Sequence, residues 1–530
     1  MSDAPAPTLE AARLRQQAAL DAERSADERN RWGQFATPPA LARAMARAAL
    51  AYQPPPPLRF IEPALGSGSL FSALLGELDE PDQPGEPNER NAQAGQQLAA
   101  ALGVELDPRF AEAARRLWGP RALAVRCADF TNEPPPPPNQ RFNLLLANPP
   151  YVRHHHLQRD DKRRLQRLAT ELTGAPVSGL TGLYVYFMLL ADRWLASGGV
   201  AAWLVPAEWM DVNYGGALRR YLTSQVQLLR VHRFEPSDVQ FGDALVSSSI
   251  VFLRKALPTP DQGVTFSSSG LEKPTSQRSV SIAALRSMAK WGPLFRGAQP
   301  PDDAHSARTN VRLDALLRVR RGIATGANRF FIRPRHELVQ LGVPDAFLTP
   351  ILPSPRGLTE PVIAAQADGY PAGVQPLALL DCDLPYDELT AKHPRLAAYL
   401  DSAQGRAARR GYLASRRRPW YAQEQRAPAP IVATYMGRGR RGAEPFRFFW
   451  NQSQAIATNV YLMLFPTERL AGALAEDRAR AGLVRDFLAS KTTAELARHG
   501  RVYGGGLHKL EPRELGGVDA TELADALGLR

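Results

Sequence analysis

The sequence predicts an α/β domain built on a mostly parallel sheet, followed by a second, mixed α/β domain. Three observations predict it. Short, continuously apolar runs alternate with helical stretches from Leu58 to Ala207, as in sheets whose two faces are both covered by crossover helices. Several of those runs end on acidic residues or on Asn-Pro-Pro, and ligands of such sheets bind at the carboxyl ends of the strands. After Lys255 the rhythm fails: Pro, Ser and Gly crowd the chain, and an irregular, arginine-dense remainder follows.

In chain order, Thr8 to Asn30 predict an exposed, Ala-rich helix of mixed charge. In "WGQFATPPALARAMARAAL" Thr37 stands where a helix cap belongs, with Pro38 and Pro39 in the first turn. Pro54 to Pro57 and Pro134 to Pro138 are stiff spacers. "LRFIEPA" predicts a strand, "SLFSALLGEL" a helix, "ALGVELD" a strand and "PRFAEAARRLW" a helix. "ALAVRCADF" and "FNLLLAN" continue as strands. Next come a helix, "LYVYFMLLADRWLA", closed by Gly198 and Gly199, then the strands "VAAWLVPA" and "SSSIVFLRK". The predicted organisation is an N-terminal helical extension (1–30), a first domain (31–258), a linker (259–310) and a second domain (311–530).

A chain of 530 residues is too long for one core. Its net charge of +12 points to a polyanionic partner. Two cysteines, Cys127 and Cys382, exclude a disulfide framework and a clustered thiolate metal site. No apolar run approaches the roughly 20 residues that span a bilayer, and "MSDAPAPTLEAARLRQQ" lacks a signal-peptide core. A cytoplasmic protein without membrane contact is expected, and a monomer.

The strand ends carry the chemistry. Glu62, Pro63, Gly66 and Gly68 in "FIEPALGSGSLF" let the backbone turn close to a ligand. Glu105 ends the next strand as an acceptor for ribose hydroxyls. Asp129 can accept from an adenine amino group, and Phe130 can stack on the base. No GxxxxGK[ST] loop is present, and an acidic rim repels phosphates. An adenosine cofactor without phosphates is most simply S-adenosylmethionine. In "NLLLANPPY" the Asn148 carboxamide oxygen and the Pro149 carbonyl can both accept from one exocyclic amine, with Pro149 and Pro150 fixing the geometry. Tyr151 supplies a flat face for the base that carries the amine.

These motifs resemble the gamma-class N6-adenine DNA methyltransferases of restriction-modification systems, of the TaqI type. The resemblance runs in the family's order from residue 30 onward: "ATPPALARAM", "FIEPALGSGSLF", "GVELDP", "ADF" and "NPPY". It implies a class I S-adenosylmethionine-dependent methyltransferase domain with a Rossmann-like, mostly parallel seven-stranded sheet. Thr37, Glu62, Pro63, Gly66, Gly68, Glu105, Asp129, Phe130, Asn148 and Pro149 would then bind the cofactor. Asn148, Pro149, Pro150 and Tyr151 would be catalytic, and Tyr151 and Phe241 would sandwich a flipped adenine.

"RRGIATGANRFFI", "NQSQAIATNVYLMLFP" and "YGGGLHKLEPREL" resemble the family's DNA target-recognition domain. Arg321, Gly322, Thr325, Asn328, Arg417, Arg418, Arg440 and Arg441 are its candidate contacts to double-stranded DNA. "YVRHHHLQRDDKRRLQR" reads as a mobile basic loop near the DNA. His154 to His156 cannot converge on one metal ion, so no metal is expected.

Other readings stay open at this point. An N4-cytosine methyltransferase presents the same amine geometry, and RNA and protein-glutamine methyltransferases share the tetrad. A non-catalytic DNA-binding protein would have a damaged cofactor site. A partner restriction endonuclease, if present, is expected to be encoded separately.

Overall fold

The computed structural model describes residues 8–25, 28–29, 32–79, 98–152, 157–235, 247–259, 261–296, 310–439, 444–477, 479–503 and 507–529. The chain divides into two compact units, 1–306 with 503–505 and 307–502 with 506–530.

The first unit is built on a mostly parallel sheet. It begins with α1 (Leu9–Ala22) and α2 (Pro39–Leu50), then β1 (Leu58–Glu62), α3 (Ser69–Asp79), β2 (Leu98–Glu105), α4 (Pro108–Trp118), β3 (Leu123–Cys127) and β4 (Phe142–Ala147). There follow α5 (Arg159–Thr173), α6 (Leu183–Ala191), β5 (Leu195–Pro206), α7 (Gly216–Ser224), β6 (Gln227–Arg233), β7 (Ser248–Arg254), β8 (Gly263–Ser269) and β9 (Pro274–Ser281). The strand order is β3-β2-β1-β4-β5-β7-β6-β8-β9. β1, β2, β3, β4 and β5 pair in parallel, and β7 runs antiparallel to both β5 and β6.

Successive side chains of a strand point to opposite faces, and β1 shows why its sequence is apolar throughout. Phe60 packs with Leu41, Met45, Leu70 and Phe71 on one face, while Ile61 packs with Leu145, Tyr186 and Trp203 on the other. Both are fully buried, each contributing about 1.5–3 kcal/mol of transfer free energy. The strand order reverses between β1 and β4, which makes a crevice at their carboxyl ends.

Three expectations need correction. Among the described residues the sheet has nine strands, not seven, because β8 and β9 lie within the stretch read as a linker. Both are rich in Ser and Thr, β9 is largely solvent-facing, and β8 sends just Val264 and Phe266 into the core, so their apolar signature is weak. The helix expected to end at Gly198 ends at Ala191, and β5 starts at Leu195, where the chain pairs with Phe142 of β4. The basic stretch read as a loop after the tetrad is helical from Arg159, with Leu165, Ala169 and Thr173 buried.

The second unit holds a five-stranded sheet: β10 (Leu317–Arg321), β11 (Val362–Ile363), β12 (Ile431–Thr434), β13 (Phe448–Asn451) and β14 (Tyr461–Pro466), in the order β10-β14-β12-β13-β11. Leu317, Ile431, Leu462 and Leu464 anchor its core. Among the described residues no helix is long and apolar enough to cross a membrane.

Candidate active site

The carboxyl ends of β1, β2, β3 and β4 open into a cavity of about 740 Å³ lined by Thr37, Glu62, Pro63, Gly66, Glu105, Asp129, Phe130, Asn148 and Pro150. The residues expected to bind a cofactor therefore lie together, apart from Gly68 and Pro149, which do not line the cavity. Gly66 and Gly68 turn the chain out of β1 with φ of 53° and 80°. A Cβ at Gly68 would lie 2.5 Å from the Trp118 indole nitrogen, which donates to the Ser67 carbonyl at 2.9 Å.

Each acidic residue is held by backbone. Glu62 is 2% exposed and accepts from the Phe71 N–H at 3.2 Å. Burial pushes its carboxyl well above the usual range. Glu105 accepts from the N–H of Gly66 at 2.7 Å and of Asp107 at 2.8 Å, and burial raises its pKa too. Asp129 accepts from the Thr131 N–H and hydroxyl and from the Asn132 side-chain amide. Phe130 is buried against Phe187 and Trp194, with centroids at 5.3 and 5.1 Å.

The Asn148 carboxamide has a defined direction. Its Nδ2 donates to the Phe35 carbonyl at 2.7 Å and to the Thr37 hydroxyl at 3.1 Å. A carbonyl can only accept, so the amide nitrogen must face it and Oδ1 must face away. Thr37 thus positions Asn148. It does not cap α2, whose N-cap is Pro38 without a side-chain hydrogen bond. Tyr151 is fixed at both ends: its N–H donates to Gly33 O at 3.3 Å and its hydroxyl to Leu204 O at 3.2 Å. Burial raises the Tyr151 pKa, so the phenol stays neutral.

Sequence reasoning missed Gly33 and Phe35. A Cβ at Gly33 would lie 2.4 Å from the Tyr151 nitrogen, and φ there is 63°, so glycine lets the segment before α2 lie against the tetrad. The Phe35 ring sits 5.7 Å from that of Tyr151. Arg164 of α5 was also missed. It donates to the Thr131 carbonyl and hydroxyl beside Asp129. The tryptophan and the glycine in "WGQF" were the available signal.

In the second unit the candidate residues separate. A side chain at Gly322 would meet the carbonyls of Thr458 and Ala457 at 2.1 and 2.5 Å. Thr325 is fully buried and donates to Asn328 Oδ1 at 2.6 Å. Arg417 donates to the carbonyls of Thr325 and Ala324 and to Gln423 Oε1. These three serve the local fold. Arg321, Asn328 and Arg418 are exposed, and Arg321 lies over the Tyr435 ring at 4.3 Å. Leu413 packs against Gly326, so the glycine turn and residues 409–418 form one surface. It carries exposed Arg329, Arg409, Arg410, Tyr412 and Arg416. Phe241, Arg440, Arg441 and His154 to His156 lie outside the described residues.

Two family models match this chain. Residues 121–240 match the Eco57I restriction-modification methylase family, and residues 302–526 match the C-terminal domain of type II methyltransferase M.Eco57I. The motifs in the sequence resemble TaqI-type enzymes, whereas both matching models carry the Eco57I description.

The chain is 30% identical to the type II methyltransferase M.XamI of Xanthomonas campestris pv. amaranthicola, over 64% of this chain and 60% of that protein. It is 22% identical to the type II methyltransferase M.AccI of Acinetobacter calcoaceticus, over 67% of this chain and 65% of that protein. It therefore spans somewhat under two thirds of each relative. In fold it is similar to the type IIL restriction-modification enzyme MmeI, solved in complex with DNA, with a TM-score of 0.51 at 11% identity over 92% of this chain and 72% of that one.

Proposed function

We propose that the protein is a site-specific DNA methyltransferase of a restriction-modification system, transferring a methyl group from S-adenosylmethionine to the exocyclic N6 of an adenine flipped out of double-stranded DNA. This is the gamma-class reading. The observation that carries it is the Asn148 carboxamide, whose nitrogen is tied to Phe35 and Thr37. Its oxygen is left as an acceptor on a residue that lines the cavity, where an amine would need one.

The cavity fits the cofactor. Its volume is that of a small-molecule site, and its strand ends offer the acceptors that ribose hydroxyls and an adenine amine require, at Glu105 and Asp129. S-adenosylmethionine supplies a methyl carbon on a cationic sulfur, so transfer to an amine forms one N–C bond, breaks one C–S bond and releases one amine proton without redox change.

The chain's own residues do the rest. Asn148 Oδ1 and the Pro149 carbonyl accept the two amine hydrogens and so orient the nitrogen lone pair. Tyr151 gives the base a face that its hydrogen bonds to Gly33 and Leu204 keep from turning. The exposed arginines of the second unit supply phosphate contacts, and no acidic residue interrupts the run from Ala403 to Tyr421.

Cytosine N4 is the second reading, because its amine presents the same two hydrogens. Expression in cells lacking adenine methylation, followed by sequencing that reports modified bases directly, separates them. N6-methyladenine confined to one short motif is the expected result. N4-methylcytosine in such a motif transfers the reading to cytosine, and unmodified DNA from a folded, cofactor-binding protein contradicts both.

A further inference from the structure

A segment that the strand-end motifs do not include bridges the cofactor cavity. Trp32 and Gln34 line that cavity, as does Arg24. Between them Gly33 holds the segment against the tetrad, since its carbonyl accepts the Tyr151 N–H. Gln34 reaches the other way. Its Oε1 accepts from Arg24 at 2.6 Å, and Arg24 pairs at 3.0 Å with Asp107, two residues beyond the end of β2.

Arg24 is itself fixed in place. It follows α1, which the sequence predicts as an exposed helix, yet Arg13 of α1 is 1% exposed and donates at 2.9 Å to the Ser67 hydroxyl in the glycine turn after β1. Next to Arg24, Glu23 pairs with Arg109 at 2.5 Å. The Arg24 guanidinium lies 5.8 Å from the centroid of the Trp32 ring, within the range of a cation over an aromatic face. The indole therefore stands on the β2 side of the cavity.

The apolar groups around the β2 end are left in water. Trp32 is 52% exposed, and Leu106, which follows Glu105 and lines the same cavity, is 58% exposed. The other rings that line it are committed elsewhere: Phe110, Phe130 and Phe187 are buried, and Phe35 lies against Tyr151. Phe130, the ring expected to stack on the base, packs against Phe187 and Trp194 and has little surface left to offer. A ligand that covers Trp32 gains the burial of a large apolar area. Glu105, the acceptor proposed for the ribose hydroxyls, ends the same strand, so the ligand group within reach of the indole is the nucleoside. We propose that Trp32 covers the nucleoside of the cofactor, positioned there by Arg24 with its partners Asp107 and Gln34. This rests on the S-adenosylmethionine reading.

The test compares two ligands by calorimetry on the full chain. S-adenosylhomocysteine and 5′-methylthioadenosine share the nucleoside and its 5′ sulfur, and only the first carries an amino-acid arm. Trp32→Ala is expected to weaken both by about tenfold, the scale of taking one aromatic ring from a base. Trp32→Phe keeps a ring and should recover most of that loss for both. Tryptophan emission separates contact from a merely structural role. No other tryptophan among the described residues lines the cavity, so either ligand should change the emission of the unmodified protein, and Trp32→Phe should lose most of that change.

A loss confined to S-adenosylhomocysteine moves Trp32 to the arm and overturns the assignment while the cofactor reading stands. No loss for either ligand, or an emission change that survives Trp32→Phe, does the same. If the unmodified protein binds neither ligand, the cofactor reading itself falls and the assignment with it. An unchanged melting temperature in the absence of ligand shows that Trp32→Ala is folded; if it melts lower, the emission of Trp32→Phe decides.

Discussion

Asn148 in the first unit and Arg417 in the second are both polar side chains on irregular segments, and both bond to main-chain carbonyls. They differ in what those bonds leave over. Asn148 uses its two N–H groups on Phe35 and Thr37, which leaves its oxygen facing away from both, as the proposed amine acceptor requires. Arg417 is held by the carbonyls of Ala324 and Thr325 and by Gln423, so its guanidinium fastens one loop to another. Its neighbour Arg418 is exposed and, among the described residues, bonds to carbonyls of its own segment, at Ser415 and Arg417. Residue type therefore does not identify a binding group; the hydrogen bonds its neighbours leave unfilled do.

Removing the leftover acceptor should have the largest effect. Asn148→Ala is expected to lower the methyl-transfer rate by about 10²–10³-fold or more, the scale of losing one positioned polar group at a reacting centre, while calorimetric affinity for S-adenosylhomocysteine stays within about twofold. A comparable loss of cofactor affinity would mean that Asn148 holds the cofactor and not the amine.

Loosening the anchor should cost less. Thr37→Val keeps the shape but deletes the hydroxyl that receives Nδ2, and should lower kcat by about 5–10-fold for the loss of one hydrogen bond. A change confined to KM would break the analogy with Asn148.

Arg417 and Arg418 should respond differently to the same substitution. Arg417→Ala strips a donor from carbonyls in a half-buried place and should destabilise the protein by about 1–3 kcal/mol, seen as a lower melting temperature. Arg418→Ala should leave melting unchanged, weaken DNA binding across sequences and reduce the salt slope of log K by about one. The opposite pattern would reverse the two roles.

The smallest effect concerns Glu62, whose burial opposes ionisation. A carboxyl with a raised folded pKa is fully tolerated at low pH, and its stability contribution is lost as pH rises toward and through that value. Glu62→Gln should therefore melt higher than the parent protein at neutral pH, with the advantage vanishing as pH falls below the ordinary carboxylate range. A constant advantage at every pH would point to packing and not to charge.

The legible parts of the molecule are those where burial dictates residue type. β4 is buried along its whole length, so "FNLLLA" reads as a strand without ambiguity, and "EPALGSG" and "NPPY" stand at strand ends because the sheet needs turns there. β9 sits at an edge and is written mostly in polar residues. α1 hides an arginine and not an apolar stripe, so nothing in its periodicity marks it as packed. Gly33 acts through contact with Tyr151, 118 positions later in the sequence, which no local pattern shows. The arginine runs of the second unit are visible in sequence, but which arginines are committed to carbonyls depends on loop geometry that residue order does not contain.

The most direct test incubates the purified protein with unmethylated double-stranded DNA and S-adenosylmethionine labelled in the methyl group, then digests the DNA to nucleosides for mass spectrometry. Labelled N6-methyldeoxyadenosine is expected from the unmodified protein and little or none from Asn148→Ala. Label in N4-methyldeoxycytidine, or equal label from both proteins, would contradict the account of Asn148 as the acceptor that orients an adenine amine.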